Sequence, residues 1–417
     1  MLYSLMAIFG IVGLAYGLYQ FLISFVGTVR RRPPFPPSDT FHRFAALIPA
    51  RNEEAVISQL IKDLARQDYP RERFDIYAIP NNCSDNTAEA ALLAGAKIIH
   101  VGQDVHTKGD VLDRAFHALT EEDIYDAYLI FDADNRVDPG FVNASNDALS
   151  AGYQVGQGYR DSLNADSHWI AGNSSEFFWF MNRLYNQARF GIKMSAALNG
   201  TGIMIGREAI KKIGWKVSSL TEDLEFTALC ALHRVKICFM RAAVLYDEQP
   251  STARDSVIQR RRWTAGTLQC FRKYFLRLVL CAVRYGSASA LDIALVFAGP
   301  IIQLISIVPF VATMVLAVQD AIYHPNVTAL MAAYTIVGSA LGFWVACAAF
   351  VLLVCGLEKK LSLNRVRDML TMPLFLASWS LINFYCLFSK PPEWVQIRHG
   401  DHSPIKKPRD RDIPVTR

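Results

Sequence analysis

Four uncharged stretches frame this 417-residue chain: Met1 to Val29, Ile293 to Val318, Val327 to Leu357 and Met369 to Ser389. About 20 consecutive apolar residues suffice to cross a bilayer, so each is long enough to span one. Residues 34–290 lie between the first stretch and the second and read as a soluble body. Arg30-Arg31-Arg32 follows the first stretch directly. A secretory leader carries its positive charge ahead of its apolar part. Here the order is reversed, which predicts a retained anchor with its N-terminus outside. Four crossings would put the tail outside too, yet Lys390, Arg398, Lys406, Lys407, Arg409, Arg411 and Arg417 argue for inside. The charge pattern therefore expects one run not to cross. The candidates are 369–389, interrupted by Pro373, and 293–318, interrupted by Pro300 and Pro309.

Composition supports this division. Apolar residues make up 52% of the chain and charged residues 19%, which excludes a disordered, collagenous or disulfide-scaffold protein. A net charge of +5 is too small to indicate a nucleic-acid partner. The eight cysteines form no CxxC pair and read as buried, reduced thiols rather than a zinc or redox site. Cys270 to Tyr285 mixes Arg272, Lys273, Arg277 and Arg284 with apolar side chains. It predicts a basic amphipathic helix, either lying in the membrane interface or packed on the soluble body. The expected organisation is an anchor (1–29), a soluble domain (34–258), interfacial helices (259–290), a membrane region (291–389) and a polar basic tail (390–417).

Within the soluble part, apolar strands alternate with amphipathic helices. Strands are predicted at Phe44–Pro49, Phe74–Ile79, Ala96–Val101 and Tyr128–Phe131. Helices are predicted over 53–66, with Val56, Leu60, Ile61 and Leu64 inward, and at Thr87–Leu93 and Asp110–Leu119. This alternation implies an α/β domain with a mostly parallel sheet. Ligands bind such sheets outside the carboxyl ends of the strands.

The polar clusters fall at those ends. Asp132-Ala133-Asp134 follows the apolar YLIF strand, and two carboxylates so spaced can reach one hard cation such as Mg²⁺ or Mn²⁺. Lys108-Gly109 precedes a predicted helix, where a lysine meets phosphate well. Thr221-Glu222-Asp223 opens another helix and serves equally as an N-terminal cap or as the seat of a general base. Gln259-Arg260-Arg261-Arg262-Trp263 reads either as a lipid-headgroup anchor or as a diphosphate clamp with an aromatic face for a sugar.

Taken in order, IPARNEE (48–54), NNCSDNTAE (81–89), KG (108–109), FDADN (131–135), NGTG (199–202), TED (221–223) and QRRRW (259–263) closely resemble the motifs of membrane-embedded, inverting family 2 glycosyltransferases. That family includes cellulose, chitin, hyaluronan and poly-N-acetylglucosamine synthases. The resemblance implies a GT-A-like nucleotide-sugar-binding domain inserted between an N-terminal transmembrane helix and a C-terminal helical membrane region. It implies Asp132 and Asp134 as metal and diphosphate ligands, with Mg²⁺ or Mn²⁺ as cofactor, and Asp223 as the base that activates the acceptor. Pro49, Asn52, Glu53 and Lys108 fall where the family holds the nucleotide, and Gln259 and Arg262 where it holds the donor diphosphate. Trp263 matches the residue that stacks the acceptor sugar, and Gly200, Thr201 and Gly202 the loop near the acceptor terminus. Asn81 stands where the family commonly has Asp against the base, a role that Asp85 would share. Trp394 and Arg398 are similar to a segment that gates the donor site.

The expected function is a processive inverting β-glycosyltransferase. It would move sugar from a UDP-sugar, UDP-glucose or UDP-N-acetylglucosamine, to a growing exopolysaccharide and help it across the cell membrane from a cytosolic catalytic domain. Gln303, Ser306 and Tyr334 are candidates to line such a channel. The alternative is single transfer to a lipid, as in glucosylceramide-type synthases. A non-catalytic scaffold is the third reading.

Overall fold

Phe44–Ala50 is apolar along its whole length and buried on both faces, as expected for a parallel strand covered by helices on either side. It forms β1 of an eight-stranded sheet in a computed structural model describing residues 2–30, 32–323 and 328–392. The other strands are β2 (Phe74–Pro80), β3 (Lys97–Ile98), β4 (Ala127–Ile130), β5 (Arg136–Val137), β6 (Val155–Ser162), β7 (Ile203–Gly206) and β8 (Ile237–Asp247). Their order is β3-β2-β1-β4-β7-β6-β8-β5. The β1–β2, β1–β4, β2–β3 and β6–β8 pairings are parallel; those involving β7 and β5 are antiparallel.

The helices around the sheet are α2 (Ile57–Ala65), α3 (Thr87–Leu93), α4 (Lys108–Glu122) and α5 (Phe141–Ser150). They continue with α6 (Trp169–Phe180), α7 (Ala188–Gly191), α8 (Arg207–Ile213) and α9 (Glu222–Leu232). A π-helical segment, Met181–Gln187, joins α6 to α7. The remaining helices are α1 (Leu2–Val29), α10 (Ala253–Tyr285), α11 (Ala288–Tyr323), α12 (Thr328–Leu357) and α13 (Asn364–Phe388).

Several expected boundaries move. The strand expected at Ala96–Val101 shrinks to Lys97–Ile98, because only those residues pair with β2. The 53–66 helix starts at Ile57, and Ile57 rather than Val56 joins Leu60, Ile61 and Leu64 in the core. Lys108 and Gly109 lie inside α4, not in a loop before it. Thr107 caps that helix by accepting from the Asp110 amide at 3.1 Å, while Asp110 accepts from the Thr107 amide at 3.2 Å. The division at 258/259 falls inside a single 33-residue helix, α10, which Thr252 caps. One helix thus runs from the sheet domain to the apolar helices.

Among the described residues, four helices are long and apolar enough to cross a membrane: Ser4–Val29, Ala288–Gln319, Ala333–Leu357 and Asn364–Phe388. They grip the body through close contacts. A Cβ on Gly27 would lie 2.1 Å from the Ala188 carbonyl oxygen, so α1 meets α7 backbone to backbone. Beside that contact Arg189 and Asp292 form a fully buried ion pair, with Nε to Oδ2 at 3.2 Å. Tyr19 donates to Asp292 Oδ1 at 2.8 Å and Tyr185 to Oδ2 at 3.1 Å. Breaking such a pair leaves an uncompensated buried charge, so α1, α7 and α11 are locked together. On α10, the inner face buries Cys270, Tyr274, Leu278 and Cys281 while Leu276, Leu280 and Val283 stay exposed. The segment thus packs on α9 and leaves an apolar outer face exposed.

Candidate functional site

Where β1, β2, β4 and β8 end, their following residues converge on a cavity of about 790 Å³. Pro49, Glu53 and Asn81 line one end, and Asp132, Asp134, Asp247 and Gln249 its middle. The first turn of α9 and one face of α10 close it. Beyond Trp263 the same space continues between the membrane helices, past Tyr16 and Gln20 of α1, Val296, Pro300 and Gln303 of α11, and Trp379 and Asn383 of α13.

The acidic loop is held from behind. Thr201 donates its hydroxyl to Asn135 Oδ1 at 2.5 Å and accepts from the Asp132 amide at 3.0 Å. Asn135 donates to Asp247 Oδ1 at 3.1 Å, and Arg160 donates from both Nε and Nη2 to Asp247 Oδ2 in a buried ion pair. In front, Lys108 Nζ donates to Asp132 Oδ1 at 2.5 Å and to the Gly200 carbonyl at 2.7 Å, with Glu222 Oε1 at 3.5 Å. Burial pulls the Lys108 ammonium down, but the charges of Asp132 and Glu222 outweigh it and hold it above the ordinary lysine range.

Asp223 lies next to this network; a Cβ on Gly200 would stand 3.8 Å from its Oδ2. Burial, reinforced by the negative charge of Glu222, pushes its carboxyl up to about 7. A carboxylate tuned near neutrality is suited to take a proton. Gln259, Arg262 and Trp263 are spaced i, i+3 and i+4, so they share one helical face, and that face lines the cavity. Arg260 and Arg261 turn the other way. Arg260 donates to the Phe375 carbonyl at 3.0 Å and the Ser378 hydroxyl at 2.9 Å, and Arg261 covers the Tyr385 ring at 4.7 Å. Burial lowers the Arg260 guanidinium to about 10. Trp263 sits among Phe177, Phe178 and Trp379, at centroid distances of 6.2, 5.8 and 6.3 Å, in an aromatic box.

Some expected site residues stand elsewhere. Asn52, in a left-handed conformation, accepts from the Ser84 amide at 2.7 Å. Asp85 accepts from the amides of Glu54 and Thr87, both at 3.1 Å. These two residues tie neighbouring loops together and do not line the cavity. Asn81 does line it and donates to the Val105 carbonyl at 2.9 Å. Of the NGTG loop, Gly200 faces the cavity, whereas Thr201 is fully buried under the acidic loop. Gly202 is required by packing: its φ is +64° and a Cβ would lie 1.9 Å from Leu245 Cδ2. Gly202→Ala is therefore expected to cost about 2–4 kcal/mol, from left-handed strain plus overpacking, read as a lower urea midpoint. An unchanged midpoint would refute this. Trp394 and Arg398 lie outside the described residues.

Sequence reading missed Arg160, Asp247, Gln249, Phe177, Phe178 and Trp379. Asp247-Glu248-Gln249 follows an apolar strand as the Asp132 loop does, so the same strand-end rule would have found it. The aromatic partners have no such signal.

Among the described residues no cluster of three or more His, Cys, Asp or Glu could hold a metal alone. The carboxylates of Asp132 and Asp134 nonetheless fit a hard divalent cation that draws its remaining oxygens from water and diphosphate. Lys108, paired with Asp132, supplies a positive charge at the same place.

A family model described as "Glycosyltransferase like family 2" matches residues 42–266. The β-monoglucosyldiacylglycerol synthase of Synechocystis sp. is 26% identical over 269 residues, 60% of this chain and 53% of that protein. The probable glycosyltransferase YdaM of Bacillus subtilis is 29% identical over 246 residues, covering 56% and 57% of the two chains. Glucomannan 4-beta-mannosyltransferase 1 of Oryza sativa is 22% identical over 284 residues, covering 62% and 54%. The chain thus spans about half the length of these relatives. Among solved structures, a mannosyltransferase from Pyrobaculum calidifontis, in complex with GDP-mannose and Mn²⁺, superposes with a TM-score of 0.58 at 15% identity, covering 90% of this chain and 99% of that one. At that identity the likeness speaks for the fold, which is GT-A-like. Since the family model takes in more than half of the sequence, from ahead of β1 into α10, the chain belongs to glycosyltransferase family 2.

Proposed function

We propose that this protein is an inverting glycosyltransferase that moves one sugar from a nucleotide diphosphate to a hydroxyl of a lipid acceptor. The observation that carries the reading is the continuity of the cavity: the space beside Asp132 and Asp223 runs on between α1, α11 and α13 along Val296 and Pro300. A lipid tail can occupy such a passage while its hydroxyl reaches Asp223. The glycolipid synthase of Synechocystis sp. among the relatives supports the same acceptor class.

In this mechanism Asp223 removes the acceptor proton. The oxygen so released attacks the anomeric carbon, the bond to the diphosphate breaks, and configuration inverts. Arg262 meets the charge that develops on the leaving diphosphate. Asp132 and Asp134 would hold Mg²⁺ or Mn²⁺, which when bound supplies further neutralisation of that charge. Pro49, Glu53 and Asn81 hold the nucleotide, with a UDP-sugar as the proposed donor. The triple arginine after α1 supports a cytosolic catalytic body on a cell membrane.

Processive synthesis is the weaker reading. Of the channel candidates only Gln303 lines the cavity. Ser306 packs against α1, its Oγ 2.3 Å from where a Gly13 Cβ would stand, and Tyr334 is 80% exposed on α12. Gln303 and Asn383 are the observation in its favour, being polar groups within the passage. The test is product sizing: purified protein in lipid with Mn²⁺ and radiolabelled UDP-glucose, UDP-N-acetylglucosamine or GDP-mannose. Label on a single-sugar lipid is the expected product; long chains would overturn the proposal.

A further inference from the structure

Among the described residues, no side chain donates a hydrogen bond to the Asp223 carboxylate. Its place is therefore set by the backbone of the first turn of α9 and by the loop, residues 218–221, that leads into it. Ser219, Leu220 and Thr221 of that loop line the cavity. Thr221 stands at the N-cap of α9 without a side-chain hydrogen bond there. What holds the loop comes from elsewhere.

Glu225, two residues after Asp223, is fully buried beneath the loop. Its Oε2 accepts from the Ser218 amide at 2.7 Å and from the Ser219 amide at 2.6 Å. Its Oε1 accepts from Lys273 Nζ at 2.6 Å and from the Tyr274 hydroxyl at 2.7 Å. The next amide, that of Leu220, donates to Gln269 Oε1 at 2.9 Å. Burial by itself would raise the Glu225 carboxyl. Donation from Lys273, the Ser218 amide, Tyr274 and the Ser219 amide outweighs it and holds the group down at about 2. A buried carboxylate with every donor in place is a rigid post, because a lost bond leaves a buried polar group unpaired.

The far ends of these bonds belong to α10. Arg262, Gly266, Gln269 and Lys273 follow one another at i, i+4, i+7 and i+11, so they form one stripe of that helix. Arg262 lines the cavity. A Cβ on Gly266 would lie 2.4 Å from Thr221 Oγ1, so the α10 backbone abuts the loop directly. Gln269 and Lys273 then reach the loop and Glu225. One helix thus fixes the spacing between the guanidinium that meets the diphosphate and the turn that carries the base.

Resting on the reading of Asp223 as the base, we infer that Glu225 is the positioning residue for that base. It pins the 218–221 loop to α10 and so sets Asp223 in register with Arg262. Glu225 does not itself line the cavity and acts only through the turn it holds.

The test is a double-mutant cycle on the full chain in lipid, read as initial rates of transfer from radiolabelled nucleotide sugar. Glu225→Gln keeps the shape but turns an N–H₂ toward groups that are themselves donors. It should lower kcat by about a hundredfold, the cost of misplacing a reacting group by about 1 Å. Affinity for UDP should stay within about threefold, since Gln259, Arg262 and the acidic loop are untouched. In the Asp223→Asn background the same substitution should change kcat by less than about twofold, because no base is left to position. A residue that only holds the fold would lower both backgrounds equally, and that result would overturn the inference. Hydrogen exchange gives a reading free of activity. The Ser218 and Ser219 amides should exchange at least about tenfold faster in Glu225→Gln, and unchanged exchange would equally overturn the inference. Should Glu225→Gln not fold, Gln269→Met frees the Leu220 amide alone. It should show the same pattern with a loss of about tenfold in kcat, and an unchanged kcat would overturn the inference. The two readings fail separately. Asp223→Asn at near wild-type rate sinks the base itself, whereas an additive loss on top of an impaired Asp223→Asn sinks only the role of Glu225.

Discussion

Asp223→Asn is expected to lower kcat by about a thousandfold, in the range for loss of a positioned general base. Donor binding should stay within about twofold, because the carboxamide keeps the shape and leaves the acidic loop untouched. The wild-type pH profile gives the sign independently. Only the ionised carboxylate accepts a proton, and burial with the charge of Glu222 holds Asp223 at about 7. The kcat/KM value should therefore fall tenfold per pH unit well below 7, rise through about 7 and level off above it. Glu222→Gln removes the neighbouring negative charge and should move the inflection to lower pH. Initial rates from pH 5 to 9 on the three proteins decide the matter. An Asp223→Asn enzyme retaining a tenth of wild-type kcat would remove this residue from the mechanism.

The second large effect is expected at Asp134→Asn. Asp132 is tied to Lys108 at 2.5 Å, so substituting it would also disturb that lysine, whereas Asp134→Asn tests the cation without breaking that pair. Mn²⁺ affinity in the presence of UDP should drop by about a hundredfold or more, since a charged ligand to a divalent cation contributes several kcal/mol. Electron paramagnetic resonance of free Mn²⁺ reads that affinity directly, and an unchanged melting temperature would show that the loop still folds. Equal Mn²⁺ binding by variant and wild type would place the cation elsewhere or dispense with it.

Which parts were legible depended on the range of the interactions. The β1 and β4 strands were readable because a strand buried on both faces must be apolar throughout, and the acidic loop because polarity begins abruptly where β4 ends. Gln259, Arg262 and Trp263 share a face by the 3.6-residue repeat alone, although the repeat does not say which face points into a cavity. Arg260 looks the same in sequence as Arg262, yet it docks α10 on α13 through Phe375 and Ser378. Thr201 sits between two cavity-facing motifs in the sequence, but one peptide turn sends its hydroxyl behind Asp132.

Sequence alone determined the division into an α/β body and apolar helices, the succession of motifs and the acidic strand end, because these follow from local hydrophobicity and short-range periodicity. Tertiary structure alone decided that Lys108 bridges Asp132 and Glu222, that Asp247 and Arg160 form the floor, and that Trp379 joins Trp263 in one aromatic box. Each of these contacts joins residues far apart in the chain. Their geometry, and the upward shift that burial and Glu222 give Asp223, exist only once the sheet and the apolar helices have closed on one cavity.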